Sequence, residues 1–219
     1  MPLRKEYEIE VCYQCDWNCN YCCVQTHTKT PVSDKEIKDN FLSHQIKDSN
    51  ITISGGEPSF ASDHLLIFLI EYALMNRCEL NLNTNGRFFR AKPELIKYFK
   101  EINYHVSENL KPEKIKEYLV PDNVKVNYLI IVTDKNIKRL AKFIDMNLEF
   151  LVYNKLLLIP ASNPYGVEGP ILSPENYKYV LSNFRSVMTN ESRLRFITMN
   201  KTFKESEITY ITNFKATKC

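Results

Sequence analysis

Apolar positions along the chain follow two alternating rhythms. Short runs with a period of two, bounded by polar or turn-forming residues, predict strands near 6–13, 50–54, 78–84, 102–107, 123–132 and 154–160. Between them, apolar residues at helical spacing predict helices near 33–47, 62–76, 91–100, 111–119 and 134–146, with a longer one near 174–189. Ser33 with Glu36 three residues on reads as a capping box, and Ser173-Pro174 opens the last helix in the same way. A short strand near 194–198 and a tail complete the chain. Strand–helix alternation of this kind predicts βαβ units and a parallel sheet.

The strands themselves alternate. Asn81 and Asn83 interleave with Leu80 and Leu82, Thr52 and Ser54 with Ile51 and Ile53, and His105 and Ser107 with Tyr104 and Val106. Glu8 and Glu10 do the same among Tyr7, Ile9 and Val11, and Lys125 and Asn127 flank Val126. Buried parallel strands are normally apolar on both faces. Here one face is apolar and suited to packing on helices, and the other is polar. The polar faces are expected to line a lumen not filled with hydrocarbon, with Asn81, Asn83 and Ser107 inside it and Glu8 and Lys125 at exposed strand ends.

At 219 residues the chain reads as one domain, 1–219, with a core over about 1–190 and a strand and tail over 191–219. A formal net charge of +3, with acids and bases interspersed, is too small for a nucleic-acid arm or a polybasic membrane anchor, so neither nucleic acid nor membrane is an expected partner. No apolar stretch reaches the roughly 18 residues of a membrane helix. The N-terminal residues lead directly into a strand without a signal-peptide core, which makes the cytoplasm the expected location.

Cysteine is where chemistry enters. Four of the seven cysteines crowd into Cys15–Cys23, and clustering of that kind favours a metal site over a disulfide framework. Cys15, Cys19 and Cys22 form a C-x3-C-x2-C run after the first strand. Three thiolates on one loop can grip three irons of a cubane [4Fe–4S] cluster; leaving the fourth iron without a protein ligand keeps a position open for a substrate or cofactor. Two C-x2-C pairs, Cys12 with Cys15 and Cys19 with Cys22, also suggest zinc. The three residues between the pairs are, however, far fewer than the ~15–20 of such sites. Cys12 and Cys78 read as small core residues, Cys23 as a neighbour of the metal loop, and Cys219 as a tail residue. His44 and His64 read as surface positions, and His105 as a structural histidine or a group facing the lumen.

A second run, Ser54-Gly55-Gly56-Glu57-Pro58, ends the second strand, and Asn83-Thr84-Asn85-Gly86 ends the third. The chain has only five glycines, and the placement of three of them, Gly55, Gly56 and Gly86, in these turns points to sharp bends or close approach of backbone. Together the cysteine loop and the Gly-Gly-Glu-Pro segment resemble the radical S-adenosylmethionine (SAM) enzymes. The resemblance implies an α/β fold, a partial, open (β/α)6 TIM-like barrel with parallel strands. It also implies that Cys15, Cys19 and Cys22 bind a [4Fe–4S] cluster whose fourth iron is chelated by SAM. An electron from a low-potential donor of flavodoxin or ferredoxin type then cleaves SAM to a 5′-deoxyadenosyl radical, which abstracts hydrogen from substrate.

On the same resemblance, backbone at Gly55 and Gly56 approaches the methionine end of SAM, while Glu57 and neighbouring polar atoms, Ser54, Asn83 and Asn85 among them, meet its ammonium group. Pro58 fixes the turn. Tyr21 lies near the adenine, and Ser107 contacts the ribose, with Glu108 and Asn127 as further candidates. Trp17 shields the cluster, and the loop Pro160–Leu172 covers the substrate. The polar lumen favours a small polar substrate such as a nucleotide, sugar or amino-acid-like molecule. Alternatives are a glycyl-radical-enzyme activase, a relative of the 7-carboxy-7-deazaguanine synthases, and a non-catalytic iron–sulfur electron carrier. The fourth strand reads His105-Val106-Ser107-Glu108 where activases often carry an Asp-Leu-Lys-like segment.

Replacing Cys19 with alanine is expected to abolish the visible absorbance of the reconstituted cluster, whereas Cys12→Ala leaves it in place. A cluster that survives the first change or vanishes with the second overturns the three-thiolate assignment.

Overall fold

The structure is a computed structural model and describes residues 4–19, 22, 32–106, 120–147, 156–160, 172–184 and 208–211. Its elements, in chain order, are β1 (Glu6–Cys12), α1 (Asp34–Ser43), β2 (Asn50–Gly55), α2 (Asp63–Met75), β3 (Glu79–Thr84), a short α3 (Phe88–Ala91), β4 (Glu101–His105), β5 (Lys125–Val132), α4 (Ile137–Met146), β6 (Leu156–Pro160), α5 (Pro174–Asn183) and β7 (Ile208–Ile211). Short 3-10 segments lie at Pro58–Phe60 and Pro93–Tyr98.

All strand pairs are parallel, in the spatial order β6-β5-β4-β3-β2-β1-β7. From β1 to β6 each strand lies beside its predecessor, with no reversal of order. Right-handed crossovers then place the connecting helices on one face of the sheet, and the opposite face is left to line a partial barrel. The six expected strands are all present. The seventh, β7, comes from the segment expected to be tail, and it pairs Glu6–Ile9 of β1 with Ile208–Ile211.

Local chemistry accounts for where the helices start and stop. Ser33 caps α1 with the reciprocal Glu36 bond of a capping box. The helix ends at Ser43, shorter than the span expected to 47, because Gln45 turns left-handed (φ 49°) and ends the helical backbone. The helix expected over 91–100 is instead α3 followed by a 3-10 turn. Pro93 supplies no N–H, and Lys92 before it leaves the helical region (φ −139°, ψ 47°). Ser173 caps α5, as expected, with Pro174 in its first turn. The helix expected at 111–119, the strand at 194–198 and the stretch 185–189 lie outside the described residues. Among the described residues no helix is long and apolar enough to cross a membrane.

The apolar strand face meets the helices in two cores. Ile9, Ile51, Ile53, Leu80, Leu82 and Ile102 pack with Phe41 of α1 and with Leu65, Leu66 and Leu69 of α2. Tyr128, Ile130, Val132 and Leu158 pack with Leu140, Phe143 and Ile144 of α4 and with Val180 of α5. Tyr104 and Val126 border both clusters and join them. Burial of this apolar face leaves the other face of β1–β4 free to be polar without loss of the main stabilising term.

Candidate active site

At the C-terminal end of β1 the backbone is drawn against the end of β2. The pairing register shifts by one residue between Glu10 and Cys12, a bulge that re-aims the chain as it enters the cysteine loop. Beyond it, Gly56 N–H donates to the Cys12 carbonyl and Glu57 N–H to the Gln14 carbonyl, each at 2.7 Å. The Cys12 thiol donates to the Glu57 carbonyl at 3.2 Å. A Cβ on Gly55 would lie 2.2 Å from the Cys12 carbonyl oxygen, and one on Gly56 would lie 2.2 Å from that of Gln14. Gly55 also takes a positive φ of 118°. The two glycines therefore let two backbones touch, which is a reason for them independent of any ligand.

Glu57 is fully buried. Its carboxylate accepts bonds from Thr84 Oγ1 (3.0 and 2.9 Å), Asn85 N–H (2.8 Å) and Ser59 N–H (3.2 Å). Burial pushes this carboxyl up from its ordinary range, and the donors from Asn85, Thr84 and Ser59 pull it back. The side chain thus ties the end of β2 to the turn after β3. Pro58, also buried, opens the 3-10 turn that follows.

Cys15, Cys19 and Cys22 all fall among the described residues, with Cys22 N–H donating to the Cys19 carbonyl at 3.0 Å. No three His, Cys, Asp or Glu groups among the described residues converge on a point that would hold a single metal ion. Cys15 Sγ receives the Trp17 N–H at 3.4 Å and lies 3.7 Å from Asn85 Nδ2. Cys12 is half-buried against the first core, and burial beside Glu57 pushes its thiol up to about 12, so it stays protonated. Cys78 borders the same core, as expected of a small core residue. His44 and His64 are exposed, as expected. Tyr21, Ser107, Glu108, Cys23 and Cys219, and all of the expected covering loop except its ends, lie outside the described residues.

Below the cysteine loop the lumen face carries a ladder of polar side chains in register. Asn83 Nδ2 donates to Ser54 Oγ (3.4 Å), Asn103 Nδ2 to Asn83 Oδ1 (2.9 Å), and Asn127 Nδ2 to both Asn103 Oδ1 and Glu101 Oε2 (3.0 Å each). Glu8 joins this ladder through Ser54 and Asn83, and burial pushes its carboxyl up. That corrects the expectation of an exposed strand end for Glu8: its register opposite Thr52, two residues inside the sheet, places it in the lumen. Lys125 is exposed at the start of β5, where it pairs with Glu101 at 2.6 Å. Higher on β5 and β6 the same face turns apolar, with Leu129 and Leu157 buried. Asn103 and Glu101 belong to no sequence motif; the period-two pattern of β4, which puts Asn103 in phase with Glu101 and His105, is the signal that marks them.

Three cysteine sulfurs on one loop, beside two backbones in contact at the C-terminal end of a parallel sheet, fit a cluster-binding site of this architecture. Residues 9–145 match the Radical SAM superfamily, and the chain belongs to that family. Its enzymes use a [4Fe–4S] cluster and SAM. No curated protein sequence matches the chain significantly. Among solved structures it is similar to anSMEcpe with AdoMet and a peptide bound (TM-score 0.59, 17% identity, covering 84% of this chain and 59% of that one). It is also similar to Streptococcus suis SuiB bound to the precursor peptide SuiA (TM-score 0.56, 18% identity, 95% and 49%). The chain thus spans about half to three-fifths of the length of these structures, which at such identity share its fold.

Two expected outcomes follow from this geometry. Gly56→Ala forces the Gln14 carbonyl aside, so the variant should retain less iron after reconstitution than wild type; equal iron content would show that the contact yields freely. His105 lies on the lumen face, and burial pushes its imidazole down to about 4. Between that value and the free-histidine value of about 6.5, the unfolded chain binds a proton that the folded one does not, so this residue makes stability fall as pH drops through the window. His105→Gln should flatten urea stability between about pH 4 and 6.5 by up to roughly 3 kcal/mol; an unchanged pH slope would refute the assignment.

Proposed function

We propose that this chain is a radical SAM enzyme acting on a small polar substrate of nucleotide, sugar or amino-acid type. Cys15, Cys19 and Cys22 would hold the [4Fe–4S] cluster, and the backbone of the Gly55–Pro58 segment with Ser54 and Asn83 would meet the methionine end of SAM; the Glu57 carboxylate and the Asn85 amide, both expected to meet SAM, are instead committed within the protein. Tyr21 and Ser107 are assigned to the adenosine of SAM, and Asn127, a further ribose candidate, is left to the substrate. When bound and reduced by a flavodoxin- or ferredoxin-type donor, these cofactors supply a 5′-deoxyadenosyl radical that removes a hydrogen atom from substrate. The chain's own task is to position, to donate and accept hydrogen bonds, and to exclude water.

One observation carries the substrate class. The Asn127 Nδ2 is committed to two acceptors, so its amide cannot be turned round, and its Oδ1 is left buried without a donor in a residue only 1% exposed. Asn81 Oδ1 on the same face of the sheet is likewise buried and unsatisfied. A buried acceptor without a donor costs about 1–3 kcal/mol, which a ligand bearing hydroxyl or amino groups would recover. Leu129 and Leu157, buried further along the same sheet face, would give such a ligand an apolar neighbour.

Anaerobic reconstitution with iron and sulfide, followed by SAM and dithionite, should yield 5′-deoxyadenosine by mass spectrometry. Deuterium from the right labelled substrate should then appear in that product. A full cluster that gives no product, and whose EPR spectrum does not respond to SAM, would leave an electron carrier as the reading.

A further inference from the structure

Asn85 connects the turn after β3 to the cysteine loop, 69 residues away in sequence. Its N–H donates to Glu57 Oε2 at 2.8 Å, which anchors the backbone. Its side-chain Oδ1 accepts the Arg87 N–H at 3.0 Å, while Nδ2 donates to Asp16 Oδ1 at 2.7 Å and lies within hydrogen-bonding reach of Cys15 Sγ at 3.7 Å. A flipped amide would set oxygen against the Asp16 carboxylate and N–H against N–H, so the partners fix its orientation. Arg87 approaches the other Asp16 oxygen at 3.9 Å, and its guanidinium lies over the Phe60 ring, 4.5 Å from the centroid. Asp16 is thereby held from two sides, and the sulfur next to it faces two N–H groups, those of Asn85 and Trp17.

We propose that Asn85 is a positioning residue for the cluster: its amide holds the Asp16 segment and donates an N–H···S hydrogen bond to Cys15, and that bond raises the cluster's reduction potential. This rests on the reading of Cys15 as a cluster ligand. A donor on a ligating thiolate withdraws charge from the sulfur and favours the reduced, more negative cluster. Removing it leaves the thiolate richer in charge and the cluster harder to reduce. Asn85→Leu removes both amide donors at similar volume. Asn85→Asp places a carboxylate beside Asp16 and the sulfur, where like charges repel.

The test is a redox titration of the reconstituted full chain, followed by EPR, with iron content measured on each sample. Asn85→Leu should keep wild-type iron and titrate at a more negative midpoint, and Asn85→Asp should be more negative still or lose iron. A fully loaded Asn85→Leu protein with the wild-type midpoint overturns the inference and leaves the ligand reading intact. A wild-type chain that takes up no cluster overturns the reading beneath it. If Asn85→Leu loses its cluster, wild-type protein labelled with nitrogen-15 in asparagine side-chain amides decides the matter. A hyperfine coupling from that nitrogen to the reduced cluster supports the bond, and its absence overturns it.

Discussion

The buried carboxylate of Glu57 is the constraint on which the site is built. A charged group removed from water must be met by donors, and every donor that meets this one comes from a segment that has to be placed: Ser59 in the turn after β2, and Thr84 and Asn85 at the end of β3. The same residue's main chain reaches in the other direction. Its N–H holds the Gln14 carbonyl, and its carbonyl accepts the Cys12 thiol. One residue therefore sets the ends of three adjacent strands relative to one another, and the cysteine loop leaves from that junction. The glycines beside it serve the same end, since a single methyl group at either position would push the first strand away.

Around that junction the sheet separates two environments. The helix side is dry and supplies the stabilising burial. The lumen side of β1–β4 is a ladder of amides and carboxylates that largely satisfy one another, which explains how parallel strands tolerate so many polar residues. The ladder is not fully closed: it leaves buried acceptors on Asn81 and Asn127. Above it, the apolar stretch of β5 and β6 gives the lumen a wall of opposite character.

Much of this was legible in the chain itself, and the misses have identifiable causes. The six core strands were readable because period-two alternation is a local property of each segment. The capping box at Ser33 and the helix start at Ser173-Pro174 were legible for the same reason. The third expected helix failed where Pro93 overrode an apolar pattern, and α1 stopped short where Gln45 turned left-handed. Glu8 lies deeper than its pattern suggests because alternation gives the face of a residue but not its depth along the strand. β7 escaped notice because four residues at an edge carry too little pattern to distinguish a strand from a tail.

Local pattern along the chain is enough for the alternation of strands and helices, the polar face of the sheet, and the types of group at three strand ends: thiols, glycines with a glutamate, and a Thr-Asn-Gly turn. Tertiary structure alone decided which of these groups touch. That the Glu57 carboxylate turns inward to β3, that Asn85 reaches the sulfur of Cys15, and that the glycines face backbone are all consequences of the parallel register between β1, β2 and β3. Register follows from packing and hydrogen bonding summed over whole strands, so contacts between residues so far apart in the chain cannot be read from either segment alone.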